Sequence, residues 1–77
     1  MSAPRVDTFA ARLTFARTVR GASMRALAED AGISVNTVSK LESGETDPRC
    51  GTVAALAAAL RIRPAWLAFW DGAMVSA

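Results

Sequence analysis

Two short amphipathic runs that meet at Gly32 constrain the fold of this 77-residue chain more than any other feature. The first run follows Ser23, whose hydroxyl can accept a hydrogen bond from an unpaired N–H group at a helix start. Leu27, Ala28 and Ala31 share one face of that helix. Gly32 predicts its end, because glycine adopts the left-handed conformation without the steric penalty of a Cβ atom.

A second short helix is predicted directly after this turn. Ile33 fills the turn, Ser34 is the predicted N-cap, and Val38 with Leu41 forms the buried side. The remaining positions face outward and include no acidic side chain: Val35, Asn36, Thr37, Ser39 and Lys40. The stretch therefore predicts two helices joined by a tight turn, the second with a polar outer surface.

Apolar periodicity predicts one more helix before this pair and two after it. Phe9, Leu13 and Ala16 share a face of the first helix, which begins near residue 7 or 8 and ends at Gly21. The fourth helix has Thr52 as its candidate cap, and its buried face is expected to contain Cys50, Val53, Leu56, Ala57 and Leu60. Pro64 opens the fifth, predicted over residues 63–71. We predict an all-α fold with residues 1–7 as a flexible arm, 8–72 as one domain and 73–77 as a tail.

Composition argues against an enzyme and against a metal centre. Histidine is absent and Cys50 is the single cysteine, so one chain can build neither a disulfide framework, nor a Cys/His zinc site, nor a Ser-His or Cys-His catalytic pair. We predict no cofactor, no metal and no small-molecule ligand. The sequence contains no apolar run of bilayer length and no signal-peptide pattern, so the expected location is cytoplasmic and not a membrane.

The net charge of +2 is a weak signal, but the basic residues are unevenly distributed. Six of the nine lie in the first forty positions: Arg5, Arg12, Arg17, Arg20, Arg25 and Lys40. A solvated helix face explains this distribution as simply as a nucleic-acid patch does, and charge alone favours the helix face.

The central stretch resembles the helix-turn-helix of the phage repressor and Cro-like family, also called the XRE family. The resemblance rests on Ala28 at the helix contact, the turn Gly32-Ile33-Ser34, the buried pair Val38 and Leu41, and the closing Glu42-Ser43-Gly44. It extends through Arg12-Leu13, Arg17 and Pro64-Ala65-Trp66-Leu67, and so covers about residues 9–72. It implies a five-helix, lambda-repressor-like DNA-binding domain in the bacterial nucleoid, or in the host cytoplasm if the chain is phage-encoded.

The resemblance also implies how such a domain reads DNA. The second helix of the motif, residues 34–42, enters the major groove. The candidate base-reading residues are Val35, Asn36, Ser39 and Lys40; the candidate phosphate contacts are Ser23, Arg25, Ser34, Thr37 and Arg49. Helix capping is the alternative role for Asn36 and Thr37. Met24 stands where the family has a glutamine, and Glu45 where it has a basic residue, so two expected backbone contacts are missing.

Two structural roles follow from the same resemblance. Arg17 is expected to form a partly buried bridge with Glu42, which ties the first helix to the recognition helix. In many members of the family the region after the fourth helix forms the two-fold contact, which makes Trp66, Phe69 and Trp70 the candidate dimer interface.

The apolar surface of the first helix leaves an alternative open. Phe15 and Val19 form a second stripe, expected to pack beneath the last helix, with a partner surface as the alternative. Trp66 with Leu67 is expected to complete the core, while Phe69 or Trp70 stays exposed. In a monomer, Trp70 would instead fold over Phe15 and Val19.

These features predict a sequence-specific, double-stranded DNA-binding transcriptional regulator. It would bind a pseudo-palindromic operator as a homodimer and act as a repressor, a Cro-like protein or an antitoxin-type autoregulator. The alternative is a protein-interaction module on the same fold with weak or no specific DNA binding, which Met24, Glu45 and the aromatic C-terminal region motivate. An enzyme ranks third, because no catalytic constellation is present.

Overall fold

The computed structural model describes residues 8–69 and Met74. This part of the chain forms five helices and no strand: α1 (Phe9–Arg20), α2 (Met24–Ala31), α3 (Val35–Ser43), α4 (Cys50–Leu60) and α5 (Pro64–Phe69). The all-α, five-helix prediction is confirmed. The predicted arm (1–7), the predicted tail apart from Met74, and Trp70 lie outside the described residues.

Local sequence signals determine the starts of the first three helices. Thr8, Ser23 and Ser34 each have an extended backbone, and each side-chain oxygen accepts a hydrogen bond from the backbone N–H three residues later, at 3.0–3.1 Å. α2 ends as expected at Gly32, which has φ 73°, and the next N–H, that of Ile33, donates to the Ala28 carbonyl at 3.0 Å. Both helices of the predicted motif therefore have defined starts, and the turn between them is tight.

The start of α4 differs from the prediction. Its N-cap is Arg49, which makes no side-chain capping hydrogen bond, so the capping role predicted for Thr52 is wrong. Pro48 disfavours helical conformation at Asp47, the residue before it, and α4 then begins at Cys50, three residues earlier than a Thr52 cap would allow. Cys50 is exposed rather than buried, because it is the first residue of α4 and lies at the edge of the core.

One hydrophobic core joins all five helices. α2 packs against α3 and α4, while α1 packs against α3 and α5. The largest side chains buried there come from every helix: Leu13, Leu27, Val38, Leu41, Leu56, Leu60 and Leu67. This core holds α2 and α3 at a fixed angle and leaves the outer side of α3 open to solvent.

The packing of α1 against α5 corrects two predictions, the dimer contact assigned to Trp66 and the buried position assigned to Val19. The Phe15 ring lies 6.3 Å, centroid to centroid, from the ring of Trp66, which is only 5% exposed. Trp66 therefore belongs to the core, as expected beside Leu67, and offers almost no surface to a dimer partner. Val19, one turn after Phe15, is 53% exposed, so the prediction that it packs beneath α5 is wrong.

Within the described part of the chain, no helix combines the length and the apolar character needed to cross a membrane.

Candidate functional site

The outer face of α3 gathers all four predicted base-reading residues. Val35, Asn36, Ser39 and Lys40 are exposed, whereas Val38 and Leu41 on the opposite face are buried. The spacing i, i+1, i+4 and i+5 places the four exposed side chains on one side of the helix. Three of them offer a hydrogen-bond donor, and Asn36 and Ser39 also offer an acceptor. This surface can make directional hydrogen bonds with a polar partner.

The N-terminal turns of α2 and α3 lie on the surface of the domain. Ser34 Oγ accepts from the Thr37 backbone N–H and lies 2.8 Å from Thr37 Oγ1, so these two predicted phosphate contacts form one hydrogen-bonded unit. Ser23 caps α2 in the same way, and Arg25 is exposed in the first turn of that helix. Arg49 is exposed at the N-cap of α4.

Three arginines of α1 are bound within the protein. Arg12 and Arg20 donate to main-chain carbonyl oxygens at the ends of α5 and α4, and Arg17 donates to Glu42 and to the Ala22 carbonyl. A cation at a helix C-terminus compensates the carbonyl dipoles there. Three of the six basic residues in the first forty positions therefore have partners within the protein, so a solvated helix face does not describe them.

The Arg17–Glu42 bridge joins α1 to the end of α3. Arg17 Nε donates to Glu42 Oε2 at 2.6 Å, and Nη2 donates to Oε1 at 3.0 Å. The two side chains are 18% and 5% exposed. The hydrogen bonds that Arg17 donates to Glu42, together with the negative charge of Glu42, raise the pKa of Arg17, although burial acts in the opposite direction. The guanidinium stays charged, and its two parallel bonds fix the orientation of the carboxylate.

Thr14 is a member of this cluster that the sequence did not reveal. Its hydroxyl donates to Glu42 Oε1 at 3.0 Å, which gives that carboxylate a third hydrogen bond from α1. The available signal is the spacing of Thr14 and Arg17, three residues apart on the same helix face. That spacing becomes informative only once the carboxylate facing both residues is known.

The two departures from the family pattern have different surroundings. Met24 is half-buried and packs against the core at the start of α2. Glu45 is exposed just after α3, and its Oε2 accepts a hydrogen bond from the Ser43 hydroxyl at 3.0 Å. Neither side chain carries a positive charge for a phosphate group.

A separate apolar groove lies between α4 and α5. Its volume is about 310 Å³, and its lining is uncharged: Cys50, Val53, Ala54, Pro64, Ala65, Ala68 and Phe69. Phe69 is 80% exposed beside it, as the sequence predicted for either Phe69 or Trp70. The groove and the protruding ring form a continuous apolar surface.

A sequence profile described as helix-turn-helix matches residues 16–67, which contain α2, α3 and α4. The chain belongs to this family. The transcriptional regulator PrtR of Pseudomonas aeruginosa is 43% identical over 67 residues, which is 87% of this chain and 26% of that regulator. The chain thus spans about a quarter of the length of this curated relative.

Solved structures of regulators share the fold of this helix-turn-helix chain. The P22 c2 repressor in complex with a synthetic operator is 27% identical with a TM-score of 0.79, over 86% of this chain and 100% of that one. The restriction-modification controller protein C.AhdI from Aeromonas hydrophila is 34% identical with a TM-score of 0.75, over 77% and 89% of the two chains. The resemblance to phage repressors is confirmed.

Proposed function

We propose that this helix-turn-helix chain binds double-stranded DNA sequence-specifically and regulates transcription in the cytoplasm. The observation that carries the proposal is the exposed, acid-free face of α3, which presents Asn36, Ser39 and Lys40 beside Val35. Two similar proteins add support, since one is described as a transcriptional regulator and another as a repressor in complex with operator DNA. The proposed DNA-binding unit is residues 8–72, between the arm and the tail.

The major groove offers a matching set of partners for this face. An α-helix fits the groove, and each base pair presents a different pattern of donors, acceptors and methyl groups there. Asn36 would pair with adenine through two hydrogen bonds, Lys40 would donate to guanine, and Val35 would contact a thymine methyl group. Ser39 would bond to either type of base edge. Each good bidentate contact contributes about 1–3 kcal/mol of discrimination.

Phosphate contacts would set the position of α3 in the groove. The N-terminal turns at Ser23 and Ser34 present N–H groups and the positive end of a helix dipole. Thr37 adds a hydroxyl beside Ser34, while Arg25 and Arg49 add exposed cations at the starts of α2 and α4. These contacts would supply affinity without sequence preference, and that affinity would decrease as salt increases.

We propose further that the α4–α5 groove forms a two-fold homodimer contact. A two-fold interface uses the same patch on both copies, so the patch must be complementary to itself. Phe69 supplies a protruding ring, and the adjoining groove supplies an uncharged apolar recess. The two α3 helices would then lie about 34 Å apart, one turn of B-DNA, on a pseudo-palindromic operator. This arrangement suits a repressor, a Cro-like protein or an antitoxin-type autoregulator.

A protein-interaction module on the same fold is the second candidate. Met24 packs against the core, and Glu45 places a carboxylate just after α3, so two backbone contacts expected in the family are missing. The exposed Phe69 would then serve a different protein rather than a second copy.

Selection of bound duplexes from a random-sequence pool, repeated at two salt concentrations, tests the proposal. We expect enrichment of a palindromic motif that persists at the higher salt, because base contacts discriminate where phosphate contacts weaken. Enrichment of no motif, with binding that disappears at the higher salt, would refute sequence-specific reading and favour the interaction module. The Asn36→Ala variant is the control, since it should lose the motif and retain the salt-sensitive binding.

A further inference from the structure

Thr14 connects α1 to α3 through the Glu42 carboxylate. Its hydroxyl and the Arg17 Nη2 group both donate to Glu42 Oε1, each at 3.0 Å, while Arg17 Nε donates to Oε2 at 2.6 Å. The Glu42 side chain is 5% exposed, so water contributes little to its solvation. The carboxylate is therefore held by two side chains that leave α1 almost one turn apart.

Two points of attachment restrain more than one point does. The planar guanidinium group of Arg17 holds the Glu42 carboxylate in the guanidinium plane. The long Arg17 side chain can still rotate about its own dihedral angles, and the guanidinium and the carboxylate would then move together. Thr14 has a short side chain with one χ angle, and its hydroxyl reaches the same oxygen from a second position along α1. Together the two residues restrain both the shift of α3 along α1 and its rotation.

The same cluster reaches the second surface proposed to contact DNA. Arg17 Nη1 donates to the Ala22 carbonyl at 3.0 Å, and Ala22 immediately precedes Ser23, the N-cap of α2. The end of α3 and the start of α2 are thus fixed to one guanidinium. A rotation of the Arg17 side chain would therefore move α3, the proposed base-reading helix, relative to Ser23, a proposed phosphate contact.

The position of α3 matters because it is short. Lys40 lies two residues before Glu42, and Asn36 lies within two turns of it. Hydrogen bonds to base edges tolerate a displacement of only about 0.5 Å or a rotation of about 10–20°. A small tilt at Glu42 would therefore misalign the base-reading side chains and leave the core intact.

We propose that Thr14 is a positioning residue for DNA reading, because its hydroxyl, with Arg17, fixes the inclination of α3 through Glu42. The proposal rests on the proposed function of α3. Thr14 does not contact DNA in this scheme, and its effect is confined to discrimination between sequences. Binding through phosphate contacts alone tolerates the tilt.

Three variants test the role of the hydroxyl. Thr14→Val removes it and keeps the shape, Thr14→Ser retains it, and Thr18→Val is the control. Thr18 lies one turn later on α1, and its hydroxyl donates only locally, to the Thr14 carbonyl at 2.8 Å. The measurements are the dissociation constants for the duplex enriched by the wild-type chain and for a scrambled duplex of equal length, together with the melting temperature.

Thr14→Val should lower the ratio of specific to scrambled affinity by at least about fivefold, the effect of one lost hydrogen bond. The scrambled duplex should bind as before, while Thr14→Ser and Thr18→Val stay within about twofold of the wild type. An unchanged ratio in Thr14→Val would overturn the proposal. So would a Thr14→Ser variant no better than Thr14→Val, since packing and not the hydroxyl would then be responsible.

A measurement without DNA separates this inference from the proposed function. Residual dipolar couplings of backbone amides report the angle between α1 and α3 in each variant. We expect a changed angle in Thr14→Val and an unchanged one in the two other variants. If the wild-type chain enriches no duplex, the proposal of sequence-specific reading fails, and the dipolar couplings alone decide whether Thr14 positions α3. An unchanged angle between α1 and α3 in Thr14→Val would overturn that role.

Discussion

The buried guanidinium of Arg12 caps the last turn of α5: its Nε lies 2.7 Å from the carbonyl oxygen of Leu67, 55 residues later in the sequence. Nη2 of the same side chain donates to the Ala68 carbonyl at 3.0 Å. A helix leaves its last carbonyl groups without partners inside the helix, and those of a short terminal helix need partners from elsewhere. α1 supplies them, and it thereby fixes α5 against the core.

The first prediction concerns this cap. Arg12→Met keeps an unbranched side chain but leaves the Leu67 and Ala68 carbonyl groups without their guanidinium donor. We expect the free energy of unfolding to decrease by about 1–3 kcal/mol, measured by chemical denaturation. Arg25→Met is the control, because Arg25 is exposed on α2 and its replacement should change stability by less than about 0.5 kcal/mol. Equal effects of the two replacements would contradict the capping role.

The second prediction concerns the bridge between α1 and α3. Arg17→Met should lower the free energy of unfolding by about 1–3 kcal/mol, because it leaves the Glu42 carboxylate almost buried with Thr14 as its remaining donor on α1. Adding Glu42→Leu to Arg17→Met should restore part of this loss, since no buried charge then lacks a partner. A double-mutant cycle measures the coupling. Strictly additive effects would show that the two side chains do not interact in solution.

The helix-turn-helix motif was predictable because its signals are local. Ser23, Ser34 and Gly32 act through hydrogen bonds and backbone conformations within a few residues, so the sequence alone indicates where α2 ends and α3 begins. The buried pair Val38 and Leu41 follows from helical spacing.

The remaining features depend on contacts between distant segments. Phe15 lies against Trp66 whereas Val19, one turn later on the same stripe, is 53% exposed, and no periodicity within α1 distinguishes these two residues. Thr14 acquires its role from a carboxylate 28 residues away. The burial predicted for Cys50 is wrong for a local reason. α4 begins without a side-chain capping hydrogen bond, so no capping residue type indicates that Cys50 is its first, exposed position.

The third prediction concerns the two residues that end α3 and α4 in a left-handed backbone conformation, Gly44 and Arg61. Arg61 ends α4 with φ 57°, a conformation that costs a residue with a Cβ roughly 1–2 kcal/mol. Arg61→Gly should raise stability by up to about 1 kcal/mol, because part of the gain is lost to the greater freedom of glycine in the unfolded chain. Gly44→Ala is the opposite case: at φ 79° an added Cβ meets nothing within 4 Å, so its cost is one of backbone conformation. Gly44→Ala should therefore lower the melting temperature, whereas Arg61→Gly should raise it. If both substitutions shifted the melting temperature in the same direction, this explanation would be contradicted.

The fourth prediction concerns the proposed dimer contact. Phe69→Ser removes the exposed ring beside the α4–α5 groove, and we expect sedimentation to show monomers at concentrations where the wild-type chain is dimeric. Val19→Ser is the matched control, because Val19 is also an exposed apolar residue but lies on α1. The control should sediment like the wild type. Dimers that persist in Phe69→Ser would place the contact elsewhere.

The last prediction separates base reading from phosphate binding on α3. Asn36→Ala and Lys40→Ala should each lose preference for the selected duplex, with little change in thermal unfolding, because both side chains are exposed. Arg63→Ala is the charge-matched control for Lys40→Ala, since it removes one positive charge just before α5. If Lys40 reads a base, its loss should relax the choice of base at one operator position, whereas Arg63→Ala should leave the preferred sequence unchanged. A Lys40→Ala variant that weakens binding to all duplexes equally, and lowers the salt dependence by about one phosphate contact, would instead assign Lys40 to the DNA backbone.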